Sequence, residues 1–269
     1  MRKRLLFAFL FYSLFCFSQQ QEIKLISWNI RDFGKTKSST ELEEIAEIIK
    51  DADIVAIQEV VAGYGGAQAV AKLSSILNRK GSKWDYVISN PTNSPKYATE
   101  RYAFIWKTSS IKIKNRGYLI SELDSVVDRE PLLLTFYMNK KVFTILNFHS
   151  RPYNKNPADE IKAISKHIVN SISGSVIFAG DFNVSEQDPV FKELKNHGFA
   201  SALVEQKTTL KRTCTGLDYL NHAIDNVFYS KDLTHIESGV LDFILSCDQL
   251  DKARKLSDHL PVYIKFSLN

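Results

Sequence analysis

Two histidines, His149 and His259, and a set of oxygen and amide donors, Asn29, Glu59, Glu100, Asp181, Asn183, Asp225 and Asp258, stand close to the ends of short apolar runs in this chain. Asn29, Glu59, His149 and Asp181 follow such a run, whereas Glu100, Asp225 and the Asp258-His259 pair precede one. Short apolar runs with polar borders read as buried strands. In a sheet of mixed direction, the exits of the first set and the entries of the second share one rim. Hard oxygen donors gathered there suit Mg²⁺, which takes one or two carboxylates, keeps several waters and is completed by substrate phosphate oxygens. Ca²⁺ or Mn²⁺ are the alternatives. Two imidazoles beside such a cation point to hydrolysis, one taking a proton from water and the other returning one to the leaving oxygen. Each ring then needs an acceptor on its second nitrogen, and Glu100 and Asp225 are available for that. No Cys/His cluster has zinc spacing and no glycine-rich phosphate loop is present, which sets aside zinc hydrolases and nucleotide-binding folds. His167, His197, His222 and His235 stand in helical or loop surroundings and read as surface residues.

The stretch SVIFAGDFNV, 175–184, shows how one such position is built. An apolar strand over 176–179 ends in Gly180, expected to let the backbone turn tightly, and delivers Asp181 and Asn183 at its exit. Taken alone, it is equally a strand followed by an Asx turn. Further strands are expected over 23–28, 54–57, 86–88, 102–106, 111–113, 132–137, 142–148, 227–229 and 262–266. Helices are expected after Ser39 and Thr40, with Glu43 closing a capping box, across the stripe Val70, Leu73, Ile76 and Leu77, and over 157–169 and 189–196. Strands outnumber helices and often follow one another directly, so pairing must be largely antiparallel. The expected architecture is α/β, with two packed mixed sheets and helices outside.

With 44% hydrophobic residues, 11 Gly and 7 Pro in 269 residues, the composition is that of a globular chain. Arg2, Lys3 and Arg4 precede an apolar run over 5–17, with Cys16 and Ser18 as small residues before a cut, the outline of a secretory signal peptide over 1–18. That run is shorter than a membrane span needs, and bulky Phe15 argues against a lipid-modified Cys16. Its removal takes the formal charge from +5 to about +2, which excludes tight nucleic-acid binding by charge alone. One domain over 19–269 and a secreted or periplasmic protein are the expectation. Cys214 and Cys247 would then form a disulfide or remain two buried thiols.

In this order, WNIRDFGKTK (28–37), IVAIQEV (54–60), YVISNP (86–91), ERYAF (100–104), REP (129–131), HSRP (149–152), AGDFN (179–183) and SDHLPV (257–262) resemble the endonuclease/exonuclease/phosphatase superfamily. Within it they look most like the secreted deoxyribonuclease I family. The resemblance runs from Lys24 to Phe266. It implies a four-layered α/β sandwich that hydrolyses phosphodiester bonds of DNA. His149 and His259 would be the acid/base pair, oriented by Glu100 and Asp225. Glu59, with Asn29 and Asp258, would hold Mg²⁺. Asp181 and Asn183 would position water and phosphate, Arg129 would contact a phosphate or brace the rim, and Tyr97 would face substrate. Where that family carries an arginine after Gln-Glu-Val, this chain has Val61, and its acidic segment Glu122, Asp124, Asp128 and Glu130 is a short counterpart of a calcium loop. DNA is the expected partner, as substrate, of a monomer with no stable membrane association after signal cleavage and no inferable protein partner. The alternative is the same chemistry on a lipid headgroup or inositol phosphate. A binding protein without turnover is disfavoured, because no base or metal carboxylate is missing.

Overall fold

Alternate residues along the strands face two different apolar layers, and that period of two stacks the molecule. The structure, a computed structural model, describes residues 21–216 and 218–269. The signal peptide expected over 1–18 and its boundary with the domain lie outside the described residues. The chain runs β1 (Glu22–Phe33), α1 (Ser39–Ile49), β2 (Ile54–Val61), α2 (Tyr64–Asn78), β3 (Trp84–Ile88), β4 (Glu100–Lys107) and the short β5 (Lys112–Ile113) and β6 (Tyr118–Leu119). It continues through β7 (Leu132–Met138), β8 (Lys141–His149), α3 (Ala158–Ser171), β9 (Ser175–Asp181), α4 (Lys192–Asn196) and β10 (Phe199–Ser201). The hairpin of β11 (Leu210–Thr215) and β12 (Asp218–Leu220) leads into β13 (Asp225–Ser230), β14 (Leu233–Val240), α5 (Leu250–Leu256) and β15 (Val262–Leu268).

One six-stranded sheet has the order β14-β15-β1-β2-β4-β3, and a seven-stranded sheet has the order β10-β13-β9-β8-β7-β5, with β6 also on β7. Among the described residues the pairs are antiparallel except β1 with β2 and β8 with β9. Each parallel pair needs a crossover, and α1 and α3 supply them. Ile23, Leu25, Ile54, Ala56, Phe104, Ile145, Ile177 and Val227 fill the space between the sheets. Their neighbours face outward: Ile26, Trp28 and Val55 pack with α1 and α2, and Val176, Phe178 and Phe228 pack with α3 and α4. This is the four-layered α/β sandwich expected, and no helix among the described residues is long and apolar enough to cross a membrane.

Several local expectations need correction. The capping box of α1 is Ser38 with Glu41 rather than Thr40 with Glu43. Both pairs satisfy the spacing, and the helix starts at the earlier one. Gly180 does not make a turn: it sits within β9 opposite Phe148 and Asn226. With φ at 150°, a Cβ there would meet Phe148 O at 1.8 Å, so the glycine permits close backbone approach. The helix expected over 189–196 is a 3₁₀ turn at Pro189–Phe191 followed by the single-turn α4. His235 lies on β14, a strand whose mostly exposed residues hide the alternation. Cys214 and Cys247 are joined in a disulfide, with Cα atoms 5.4 Å apart.

Candidate active site

The site grows out of strand parity. The inward set on β8 is Phe143, Ile145, Asn147 and His149; on β9 it is Ile177, Ala179 and Asp181; on β13 it is Asp225 and Val227. His149 is the register partner of Asp181, which is also the partner of Asp225. Three candidate groups thus stand in a row across one sheet. From the facing sheet, the same parity carries Asn29 beyond Leu25 and Glu100 before Tyr102. Beneath them lies a buried polar floor: Gln58 Nε2 donates to Ser27 Oγ at 3.1 Å and Asn147 Oδ1 at 2.6 Å. Glu59 breaks the rule. On parity it belongs with outward-facing Ile57, yet the register with β4 shifts between Ile57 and Val60. Glu59 takes φ 58°, a bulge conformation that re-aims the side chain, and its carboxylate accepts from Asn29 Nδ2 at 3.0 Å and from Asp32 N at 3.1 Å.

Two carboxylate–imidazole pairs meet at one oxygen. Glu100 Oε2 lies 3.0 Å from His149 Nδ1, and Asp225 Oδ2 lies 2.9 Å from His259 Nδ1. Each ring therefore turns Nε2 inward, and both reach Asp181 Oδ2, at 3.5 Å from His149 and 3.7 Å from His259. The other Asp181 oxygen accepts from Asn183 N at 2.9 Å. The Asx turn and the functional position are one structure, with an oxygen serving each. Burial alone would lower the His259 imidazole, but Asp225 and Asp181 outweigh it and push it up to about 10. His149 moves the same way: burial is outweighed by Glu100 and Asp181, against the opposing charge of Arg129. Burial also raises the Asp225 carboxyl, with Asp181 adding to it.

Asp181, Asp225 and His259 bring ligand atoms within 4.8 Å of one another, but both nitrogens of His259 already face carboxylates, Nδ1 that of Asp225 and Nε2 that of Asp181. Asn29 and Glu59 fit a divalent cation better. Asn29 is fully buried, its amide nitrogen is used by Glu59 and by Asp181 at 3.1 Å, and its Oδ1 has no hydrogen-bond partner. A buried acceptor without a donor is costly, and a hard cation beside Glu59 would satisfy it.

The remaining expected residues lie around this centre. Asp258 faces Arg31 Nη1 at 3.6 Å and Arg254 Nη2 at 3.7 Å. Arg129 is buried, donates through Nε to Ala98 O at 3.0 Å and through Nη1 to Ser150 O at 2.9 Å, and forms an ion pair with Glu100 Oε2 at 3.0 Å, so it braces. Tyr97 is 93% exposed at the rim and is not drawn into the cluster. Asn183 is half-buried and donates through Nδ2 to Ser150 O at 3.3 Å. The acidic segment does not converge: Glu130 accepts from Asn93 N at 2.9 Å and Asp128 pairs with Arg151 at 2.9 Å. Other supports have no assigned role in the sequence. Thr208 Oγ1 donates to Asp225 Oδ2 at 2.6 Å, and Trp28 Nε1 donates to His259 O at 2.8 Å. Ser257 Oγ donates to Asn29 O at 2.6 Å and accepts from His259 N at 3.1 Å. Ser257 lay in plain view beside Asp258; Thr208, in a loop without pattern, gave no signal.

The Endonuclease/Exonuclease/phosphatase family model matches residues 26–259. No curated protein matches the chain in sequence. Among solved structures, an endonuclease/exonuclease/phosphatase from Bacteroides vulgatus is 16% identical with a TM-score of 0.66, covering 93% of this chain and 100% of its own. A mannosyl-6-phosphatase from Bacteroides thetaiotaomicron is 17% identical with a TM-score of 0.66, over 91% and 100%. A humanized TDP2 from D. rerio is 16% identical with a TM-score of 0.63, over 91% and 99%.

Proposed function

Because the chain belongs to the endonuclease/exonuclease/phosphatase family of phosphoester hydrolases, we propose that it is a secreted or periplasmic, Mg²⁺-dependent endonuclease that hydrolyses phosphodiester bonds of DNA. The observation that carries this reading is the approach of two carboxylate-held imidazoles to the single oxygen Asp181 Oδ2. His259, which keeps its proton at neutral pH, is the acid that meets the leaving oxygen. Asp181 and His149 hold the attacking water and take its proton, and Asn183, anchored on Asp181 and Ser150 O, stands beside the phosphate. Glu100 and Asp225 fix the orientation of the two rings, and Arg129 holds Glu100. Asn29 and Glu59 would hold the divalent cation, which when bound neutralises charge building on the phosphate oxygens.

A polyanionic substrate is supported by a cleft of about 700 Å³ whose lining includes Arg31, Lys35, Lys37, Arg254 and Lys255. It opens beside Glu59, whose carboxylate accepts from the cleft residue Asp32. Lys37 is spent on the carbonyls of Lys255 and Leu256, both at 2.8 Å. The ammonium groups of Lys35 and Lys255 have no acidic partner among the described residues. Export is supported by the N-terminal pattern and by the disulfide. A small phosphoester, such as a lipid headgroup or inositol phosphate, is the second reading. It is favoured by Val61, which puts an aliphatic side chain in the cleft. A panel of single- and double-stranded DNA, RNA, a lipid phosphodiester and a sugar phosphate, with Mg²⁺ or with chelator, separates the two. Hydrolysis of DNA with Mg²⁺ and not with chelator is expected; intact DNA beside a hydrolysed small ester overturns the reading.

A further inference from the structure

A second cationic surface lies at the pole opposite the active site. β4 runs from Glu100 at the rim down to Lys107, and β8 rises from Lys141 to His149, which sets the two ends about 25 Å apart. Lys83, Lys107, Lys112, Lys114 and Lys140 form an arc along the far end. Lys107 is the register partner of Trp84, Thr108 N donates to Lys83 O at 2.8 Å, and Lys112 Nζ donates to Thr108 O. Lys112 pairs in register with Tyr137, whose ring centroid lies 4.3 Å from Lys114 Nζ, and Lys140 sits in the turn between β7 and β8. None of these ammonium groups has a carboxylate partner among the described residues. Nearby acids are committed elsewhere: Glu22 pairs with Lys265, Asp53 accepts from Lys24 N at 2.9 Å and Asp85 accepts from Tyr86 N at 2.8 Å.

Val142, 46% exposed and opposite Tyr137, sets an aliphatic and an aromatic side chain among the lysines, a mixture that suits a lipid–water interface. Gln21, where the described chain begins, accepts from Asn139 Nδ2 at 3.1 Å in the same turn between β7 and β8, so the apolar run over 5–17 joins the domain at this pole. A DNA duplex held at the Asp181 centre is stiff over about 50 nm and cannot double back to the far end. We infer that this pole docks on an anionic phospholipid surface, its lysines against the headgroups and the catalytic rim turned outward. The inference is independent of which ester the active site hydrolyses. The contact is peripheral and reversed by salt, unlike the stable membrane association that the sequence argues against.

The test measures partition of the exported protein onto vesicles of phosphatidylglycerol mixed with phosphatidylcholine, and of phosphatidylcholine alone, at low and high salt. Wild type is compared with a variant carrying Lys83→Gln, Lys112→Gln, Lys114→Gln and Lys140→Gln, all exposed positions, and with Lys35→Gln/Lys255→Gln at the other pole. A lysine near an anionic surface strengthens binding about 5-fold, so the four changes together should weaken partition onto the mixed vesicles by about 100-fold or more. Their melting temperature and DNA cleavage without vesicles should match wild type, and the Lys35/Lys255 variant should partition as wild type does. If the four-lysine variant does not fold, Lys112→Gln/Lys140→Gln should still weaken partition about 25-fold. Binding of wild type to neither vesicle, equal binding to both, or an equal loss in the variants of the two poles overturns the docking surface. A loss of affinity for duplex DNA in the four-lysine variant, with vesicle binding intact, assigns the pole to nucleic acid and likewise overturns it. A wild type that binds the anionic vesicles but cuts no DNA overturns only the nuclease reading.

Discussion

Two imidazoles with their Nδ1 atoms tied to buried carboxylates can present only Nε2 to the site, and both present it to Asp181. This arrangement has a consequence for stability. Although burial opposes it, the His259 imidazole rises from 6.5 in the free residue to about 10 through Asp225 and Asp181. The native state thus binds that proton more tightly than the unfolded chain. The stabilisation is complete below about pH 6.5, fades as pH rises and is gone above about 10. In chelator, the gap in melting temperature between wild type and His259→Gln should be wide at pH 6 and narrow at pH 10; a gap that widens with pH contradicts the assignment. A second prediction concerns the orphaned Asn29 Oδ1. Asn29→Ala or Glu59→Gln should weaken divalent-cation binding at least tenfold by isothermal titration calorimetry. Unchanged affinity in both would place the cation elsewhere.

At the scale of elements, the apolar runs and their polar ends were readable, but the inward face was not. Leu25, Ser27 and Asn29 share one face, as do Ile177, Ala179 and Asp181, which sends the last polar residue of each inward; both faces of these strands are apolar, so the sequence shows no alternation. Glu59 was recognisable by its place in IVAIQEV but not by alternation, because a bulge is a backbone event with no side-chain period. The capping box of α1 was ambiguous by two residues because Ser38-Glu41 and Thr40-Glu43 satisfy the same rule. Strand β14 escaped because its outer face is solvated and its apolar residues are sparse. Gly180 was singled out correctly and for the wrong reason, since its service is to let β8 and β9 close up just before His149 and Asp181. Gly180→Ala should cost about 2 kcal/mol or more by urea unfolding. Phe182, fully buried against Phe178 and Phe191 at 4.9 and 5.3 Å, anchors the Asp181–Asn183 turn from behind. Its truncation to alanine should cost about 3–5 kcal/mol. Near-neutral outcomes for both would mean that the strand ends are not held as described.

Across the whole molecule, each sheet contributes one parallel β-α-β unit, and the four strands of those units carry Asn29, Glu59, His149 and Asp181 at or near their C-terminal ends. Antiparallel neighbours bring Glu100, Asp225 and His259 back to the same rim. The sequence announced this convergence through the order of exits and entries; the loop contacts that lock it, Thr208 to Asp225 and Ser257 to Asn29, depend on tertiary placement alone. The disulfide ties segments separated by 33 residues, so replacing both cysteines with serine should remove about 3–4 kcal/mol on loop-entropy grounds, read by chemical denaturation against wild type. The central claim is that His149, from one sheet, and His259, from a loop of the other, work on one substrate as a unit. Its most direct test is the rate of DNA cleavage with Mg²⁺ by His149→Ala, His259→Ala and the double variant. Each single change should cost about 10²- to 10⁴-fold, and the double variant should be scarcely slower than the worse single one. Losses that multiply, or a single variant that retains wild-type rate, would contradict it.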